Sequence, residues 1–346
     1  MKAIILAGGK GTRFWPLSSE EKPKQFLNLI SNQSMLQETY QRFRNWLPAE
    51  RVFVVTTEKY MPLVKDQLPE LEKTQIILEP DQRDTAPCIA LTALHFLNQK
   101  DDEVLVMAPS DQYIGNELAF QNALILAETL AERDDSIVTL GIRPTGPETG
   151  YGYINANKIS PLSSSAYLVE EFIEKPELKK AKELILNENV FWNSGIFIWK
   201  PSTIAYNFYK HQPEMWKLIN DNQTKLQEVY SLLPKVSIDY AILEKAENVF
   251  TVPVNFDWDD IGSWTSLGRI QSSDQNNNYQ NGDVMSASSK NCIVYSDRKT
   301  ILIGVEDLII ASTNEGIIVC HKSKEQMIKK ILNNENMTRE NPQKTD

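Results

Sequence analysis

The chain reads as an α/β protein. A Rossmann-like domain with a mostly parallel sheet is followed by a small all-β unit. Three observations carry this expectation. Short apolar runs alternate with helical patterns through the first half. A glycine-rich loop, Gly8-Gly9-Lys10-Gly11, follows the first of those runs. After Gln271 the pattern changes to short apolar strands spaced by about ten residues.

Met1 to Ala7, MKAIILA, suits a buried parallel strand. Further strands are expected at 52–56, 75–78, 104–108, 137–141, 168–174 and 195–199. Helices are expected at 35–46, 60–68, 85–98 and 117–132. Such a sheet binds ligands at the carboxyl ends of its strands. The stretch 200–235 reads as mostly helical, with Tyr206, Tyr209 and Trp216 as packing residues, and 237–245 reads as a further helix. The polar run 272–278 is a linker. Apolar runs at 283–284, 292–295, 301–304, 308–310 and 316–320 then form the all-β unit, either a barrel fragment or a few coils of β-helix. A helix over 323–333 closes it, and 334–346 reads as a solvated tail. The expected domains are 1–271 and 272–346.

The first loop defines the chemistry. Gly8, Gly9 and Gly11 let the backbone turn off a strand end and leave amide N–H groups open to an anion. Arg13 and Lys24 add two cations, which suits a polyphosphate. The loop is not a dinucleotide fingerprint, because position 14 is Phe, and no G-x-x-x-x-G-K-[ST] is present. Other candidates lie at later strand ends. In EPDQRDTAP, Asp84 or Thr85 caps a helix or the loop meets a base. Asp111 fits Mg²⁺, which takes one or two carboxylates plus phosphate oxygens, or it is a turn residue. Gly150 and Gly152 flank Tyr151 and Tyr153, a sugar-like surface or a hairpin. Glu174 and Lys175 offer a carboxylate for hydroxyls and a cation for phosphate, or form a surface ion pair. Asn193 offers donor and acceptor together. Asp257, Asp259 and Asp260 crowd carboxylates into a second metal-ligand candidate, or one of them caps the helix after Ser263.

Composition excludes several classes. The 346 residues carry a net charge of −10, without the basic footprint of a nucleic-acid binder. No apolar run approaches a membrane span, and the first residues read as a strand with no signal-peptide segment. Cys88, Cys292 and Cys320 are scattered and read as reduced thiols, which fits a cytoplasmic protein. The three histidines, His95, His211 and His321, show no ligand spacing.

Taken in order, LAGGKGTRFWPLS with PKQF, EPDQRDTAP, APSDQ, GIRPTGPETGYGYI, FIEKP, FWNSGIF, SIDYAILEK and WDDIGSW resemble the mannose-1-phosphate guanylyltransferases (GDP-mannose pyrophosphorylases) of the sugar-nucleotide pyrophosphorylase family. They span residues 6 to 264. The terminal β unit resembles that family's small left-handed β-helix domain, which often mediates assembly; a homodimer through it is the expectation. Longer members carry a fused phosphomannose isomerase domain, and this chain resembles the single-function type. The resemblance implies transfer from GTP to mannose 1-phosphate, giving GDP-mannose and diphosphate. It places Gly8, Gly9, Gly11, Thr12 and Arg13 on the triphosphate and Lys24 at the α-phosphate. Asp111 and Asp260 would bind Mg²⁺. Lys175 would hold the sugar phosphate, Glu174, Asn193 and Gly150 the sugar hydroxyls, and Arg83, Asp84 and Thr85 the base. The catalytic set implied is Arg13, Lys24, Asp111, Lys175 and Asp260. Two positions depart from the family pattern: Gln112 stands where His is usual, and Asp84 where Asn is usual. The alternatives are another nucleotide and hexose 1-phosphate pair, or a non-catalytic regulatory homologue.

Overall fold

The computed structural model describes residues 1–9, 11–157, 165–271 and 273–332. Lys10, the expected tail 334–346 and the last residue of the expected closing helix lie outside them. The chain divides into two compact units, one of Met1–Gly8 with Gln37–Trp258, the other of Gly9–Leu36 with Asp259–Asp346.

The first unit is built on a nine-stranded sheet. Its strands are β1 (Lys2–Leu6), β2 (Val52–Thr57), β3 (Ile76–Glu79), β4 (Leu105–Pro109), β5 (Ile137–Ile142), β6 (Tyr153–Asn157), β7 (Tyr167–Ile173), β8 (Val190–Trp199) and β9 (Val249–Val254). They lie in the order β3-β2-β1-β4-β8-β5-β9-β7-β6, and β6 also pairs with β8. β1 is an unbroken apolar run because both of its faces are covered; Ala3, Ile4 and Ile5 are wholly buried. It pairs in parallel with β2 on one side and β4 on the other. The strand order therefore reverses between β1 and β4, the switch point where such sheets open a crevice.

The sheet is mixed. β8 runs antiparallel to both β4 and β5. It is longer than the expected 195–199 because Phe191 and Trp192 are core residues of the same strand. Gly195, at φ 70°, lies inside it where the register with β5 shifts. β9 was not among the expected strands, and it carries Pro253, an unusual residue for an inner strand. β9 pairs in parallel along β5, whereas its pairing with β7 is confined to Phe250 and Thr251, so the missing Pro253 N–H interrupts no ladder bond to β7. β6 lies in a stretch whose sequence is rich in turn residues; it forms a hairpin with β7 and pairs with β8.

The helix Thr85–Asn98 is the most deeply packed, with Ala86 through Leu94 buried. In the helices Pro201–His211 and Pro213–Asp221, Trp216 stacks on Phe208 as expected, but Tyr206 and Tyr209 are exposed. The expected helix 237–245 is a π-helical turn at Asp239–Leu243, with Ala241, Ile242 and Leu243 in the core.

The second unit contains stacked coils. Tyr279–Asn281, Ile293–Ser296 and Leu308–Thr313 pair in parallel, and Gly316–His321 adds antiparallel to the last. Val284–Ala287 pairs in parallel with Thr300–Ile303. Each coil turns its corners with residues in left-handed conformation: Asn277, Asn291 and Asp307 at one corner, Ser288 and Gly304 at another. Small polar side chains and glycine tolerate that conformation, which is why these residue types recur there. Cys292, Val294 and Leu302 fill the interior. Asn278 bonds one coil to the next, accepting from the Cys292 amide at 2.9 Å and donating to the Ser289 carbonyl at 3.0 Å. The structure thus resolves the open alternative in favour of the β-helix. A short turn at Lys322–Lys324 and a helical stretch over 327–332 follow.

Candidate active site

In the first unit the candidate residues gather at strand ends. Gly8 follows β1, and a Cβ there would lie 3.6 Å from Oε2 of Glu79, the last residue of β3. The Gln82 side chain donates to the Gly8 carbonyl. Glu79 is buried, and its Oε1 accepts from the Tyr230 hydroxyl at 3.0 Å and the Arg83 amide at 3.4 Å. Burial pushes this carboxyl up to about 7, against the lowering effect of those two donors. Burial and the Glu79 charge together raise the Tyr230 hydroxyl. Sequence reasoning passed over Glu79; an acidic residue closing an apolar strand was the available signal.

The three residues expected near the base have local partners. The Arg83 guanidinium is held by Asp81 through two 2.8 Å contacts. Asp84, at φ 67°, accepts from the Thr85 amide at 2.7 Å and caps the helix Thr85–Asn98. The Thr85 hydroxyl accepts from the Ile238 amide at 2.8 Å.

Asp111 is half-buried just beyond β4. Beside it, Gln112 is buried, donating to the Ser194 carbonyl at 2.6 Å and accepting from the Trp258 indole at 3.0 Å. Nothing lies within 4 Å of a Cβ built at Gly150, whereas one at Gly152 would come within 2.6 Å of Glu174 Oε2. The Glu174 carboxylate is therefore tucked against the Gly152 backbone, and a side chain there would have to displace it. It pairs with Lys175, whose side chain is more than half exposed. Asn193 donates to Asp239 at 2.8 Å and accepts from the Gly195 amide at 3.0 Å. Asp239, from the π-helical turn, is a second acid missed in the sequence. Burial, then the Glu174 charge, raise it to about 6.

The second unit carries the rest. Gly11 has φ 49°, and a Cβ there would sit 2.6 Å from the Lys24 amide nitrogen, so only glycine fits. Thr12 opens the short turn Thr12–Phe14. Gln25 donates to the Gly9 carbonyl at 2.8 Å and braces the loop. Arg13 is exposed, while Phe14 is buried edge-on against Trp264 at 5.2 Å. Lys24 is buried, and its Nζ donates to the Asp260 carbonyl at 2.5 Å. Asp260 Oδ1 accepts from the Gly262 amide at 2.9 Å. A Cβ at Gly262 would meet Asp260 Oδ2 at 2.8 Å and Arg13 Nη1 at 3.2 Å, so these two side chains flank one glycine. Asp259 instead pairs with Arg269 at 2.8 Å. Among the described residues, no three His, Cys, Asp or Glu side chains gather into a metal-holding group.

A sheet whose parallel strands reverse their order beside β1, with a glycine-rich stretch following that strand, is an arrangement typical of nucleotide-handling proteins. Residues 2–277 match the nucleotidyl transferase family and residues 282–334 match the MannoseP isomerase/GMP-like beta-helix domain. The chain belongs to the nucleotidyl transferase family and is a nucleotidyltransferase. It is 36% identical over 343 residues to the mannose-1-phosphate guanylyltransferase of Klebsiella pneumoniae, covering 95% of this chain and 72% of that one. It is 37% identical over 341 residues to the xanthan biosynthesis protein XanB of Xanthomonas campestris, covering 95% and 72% respectively. A crystal structure described as mannose-1-phosphate geranyltransferase from Thermus thermophilus matches with a TM-score of 0.88 and 34% identity, over 97% of this chain and 99% of that one. Among the described residues, no helix is long and apolar enough to cross a membrane.

Proposed function

We propose that this chain is a mannose-1-phosphate guanylyltransferase, joining GTP and mannose 1-phosphate into GDP-mannose with release of diphosphate. The observation that carries the reading is the similarity over 95% of the chain to enzymes of that name. The site chemistry supports it. A phosphate monoester has a second pKa of about 6, so its oxygen is already a nucleophile at neutral pH and no Ser, Cys or His base is required. What the reaction needs is alignment and neutralisation of charge on the α-phosphate.

In this reading the amides of Gly8, Gly9 and Gly11, with Thr12 and Arg13, hold the triphosphate. Lys24, anchored by the Asp260 carbonyl, places its charge at the α-phosphate. Lys175 holds the sugar phosphate, while Glu174, Asn193 and Gly150 meet the sugar hydroxyls. Arg83, Asp84 and Thr85 shape the base loop. Asp111 and Asp260 are the Mg²⁺ ligands. Two carboxylates fit an ion that takes its other ligands from phosphate and water, and Mg²⁺ supplies Lewis-acid charge neutralisation when bound.

Residues 1–271 act as the catalytic domain and 272–346 as the assembly domain of a cytoplasmic homodimer. Met285, Ile301 and Ile303 support that assembly: they are exposed apolar side chains on paired strands of the coil unit. A net charge of −10 supports small-molecule partners over nucleic acid.

The test is diphosphate release with Mg²⁺ for four nucleoside triphosphates against mannose 1-phosphate, glucose 1-phosphate and no sugar. Release confined to GTP with mannose 1-phosphate is expected. Release with another pair moves the specificity, and silence in every well removes the catalytic reading.

A further inference from the structure

The two loops that carry Arg13 and Asp260 are both fastened to the same late segment of the chain. The first attachment is at Glu325, just beyond the Lys322–Lys324 turn. Its carboxylate accepts from the Thr265 amide at 3.1 Å and from the Thr265 hydroxyl. Thr265 is the second residue of the helix Trp264–Ile270, which starts four residues after Asp260. Ser263 already caps that helix through the Ser266 amide, so Glu325 adds a second bond at the same end. Between Asp260 and the helix lie Ile261, in a left-handed conformation, and Gly262, whose amide binds Asp260 Oδ1.

The second attachment is at Gly316. The Trp15 ring lies against it so closely that a Cβ there would come within 2.8 Å of two ring carbons. Nearby, the Thr313 hydroxyl donates to the Pro16 carbonyl at 3.3 Å. Trp15 and Pro16 directly follow Arg13 and Phe14 in the phosphate loop. Arg13, Gly262 and Glu325 line one small cleft.

We propose that the segment 313–325 is a clamp for the phosphate and metal end of the site, and that Glu325 is a positioning residue for Asp260. Glu325 has no part in the reaction itself. It holds the Thr265 end of the helix, which fixes the turn Asp260–Gly262 and, through the Asp260 carbonyl, the partner of Lys24. An unheld helix end would let that turn drift. A drift of about 1 Å in such a turn is costly to a reaction that depends on alignment. The inference rests on the metal-binding role proposed for Asp260.

Its test uses the full chain with Glu325→Ala, Glu325→Gln and Thr265→Val. Glu325→Ala is expected to lower kcat by about tenfold or more and to raise the Mg²⁺ half-saturation, as losses of supporting partners around metal ligands do. KM for mannose 1-phosphate should stay within about twofold, because the sugar end is untouched. Calorimetric GTP binding with and without Mg²⁺ provides a readout independent of turnover, and the Mg²⁺-dependent gain in affinity should shrink. Glu325→Gln keeps an acceptor for the Thr265 amide and should restore most of the wild-type behaviour. Thr265→Val should shift the same quantities less far. A soluble Glu325→Ala enzyme with wild-type kcat, Mg²⁺ half-saturation and Mg²⁺-dependent GTP affinity overturns the proposal. Should that variant fail to fold, a Thr265→Val enzyme matching the wild type in all three overturns it. A wild-type protein silent with every substrate pair would defeat the proposed reaction, while the calorimetric comparison would still decide the clamp.

Discussion

The Lys24 ammonium donates to the backbone carbonyl of Asp260 across 236 residues of sequence, at 2.5 Å. A buried cation is thereby fixed by a neutral oxygen of the residue whose carboxylate is a proposed metal ligand. The carbonyl orients the Lys24 ammonium for its proposed role at a phosphate. Lys24→Ala should lower kcat by about a hundredfold, the scale for losing one aimed charge in the transition state. Steady-state kinetics would check this. A change confined to KM for the sugar phosphate would contradict the role.

Asp111→Ala and Asp260→Ala should each cost turnover far more than GTP binding. Each should also shift the Mg²⁺ dependence to higher concentration, because every removed carboxylate leaves the ion to water. Titration of activity with Mg²⁺ beside calorimetric GTP binding separates the two effects. Near-normal turnover in either variant would remove that residue from the ligand set.

Glu79 predicts a pH dependence of stability. Its carboxyl is raised from 4.5 to about 7 by burial, so the folded chain keeps this proton where the unfolded chain has lost it. This contribution makes the fold less stable as pH rises from about 4.5 to about 7, and is constant above. Glu79→Gln carries no such penalty and should be more stable at pH 8, by on the order of 3 kcal/mol. The gap should close as pH falls to 4.5. Urea unfolding of both proteins across that range would show it; a gap independent of pH would refute the assignment.

Gln112 bridges the Ser194 carbonyl and the Trp258 indole. Gln112→Ala would strand both and should destabilise the fold by about 1–3 kcal/mol. Gln112→His, which restores the residue expected from the family pattern, can supply a ring donor and acceptor and should cost less. Thermal melts of the two variants, compared with the wild type, would rank them. An alanine variant as stable as the wild type would mean that the bridge contributes nothing.

Much of the fold was legible because β1 through β4 obey simple rules. They are apolar runs flanked by helices with a clear repeat, and the helix Thr85–Asn98 follows its pattern to the residue. β9 was not legible, because Pro253 breaks the strand signature and its tolerance depends on which neighbour it faces. The site was legible as motifs and less so as geometry. Gly11 and Gly262 sit where a Cβ would collide, as glycine-rich loops suggest. In contrast, Asp84 caps its helix, one of the two readings its sequence offered, while the bonds of Arg83 to Asp81 and of Thr85 to Ile238 appear only in the folded chain. Glu79 and Asp239 went unseen because burial, the main cause of their shifts, is a property of the folded chain.

The pairing of Trp15 with Gly316 also bears on the order in which the protein can be completed. Synthesis delivers Trp15 long before Gly316, so the Trp15 loop emerges well ahead of the residue it packs against. Throughout synthesis that loop has no Gly316 to rest on, and a prematurely terminated chain never acquires one. The compact unit that holds Gly9–Leu36 is thus assembled only when Asp259 onward has been delivered.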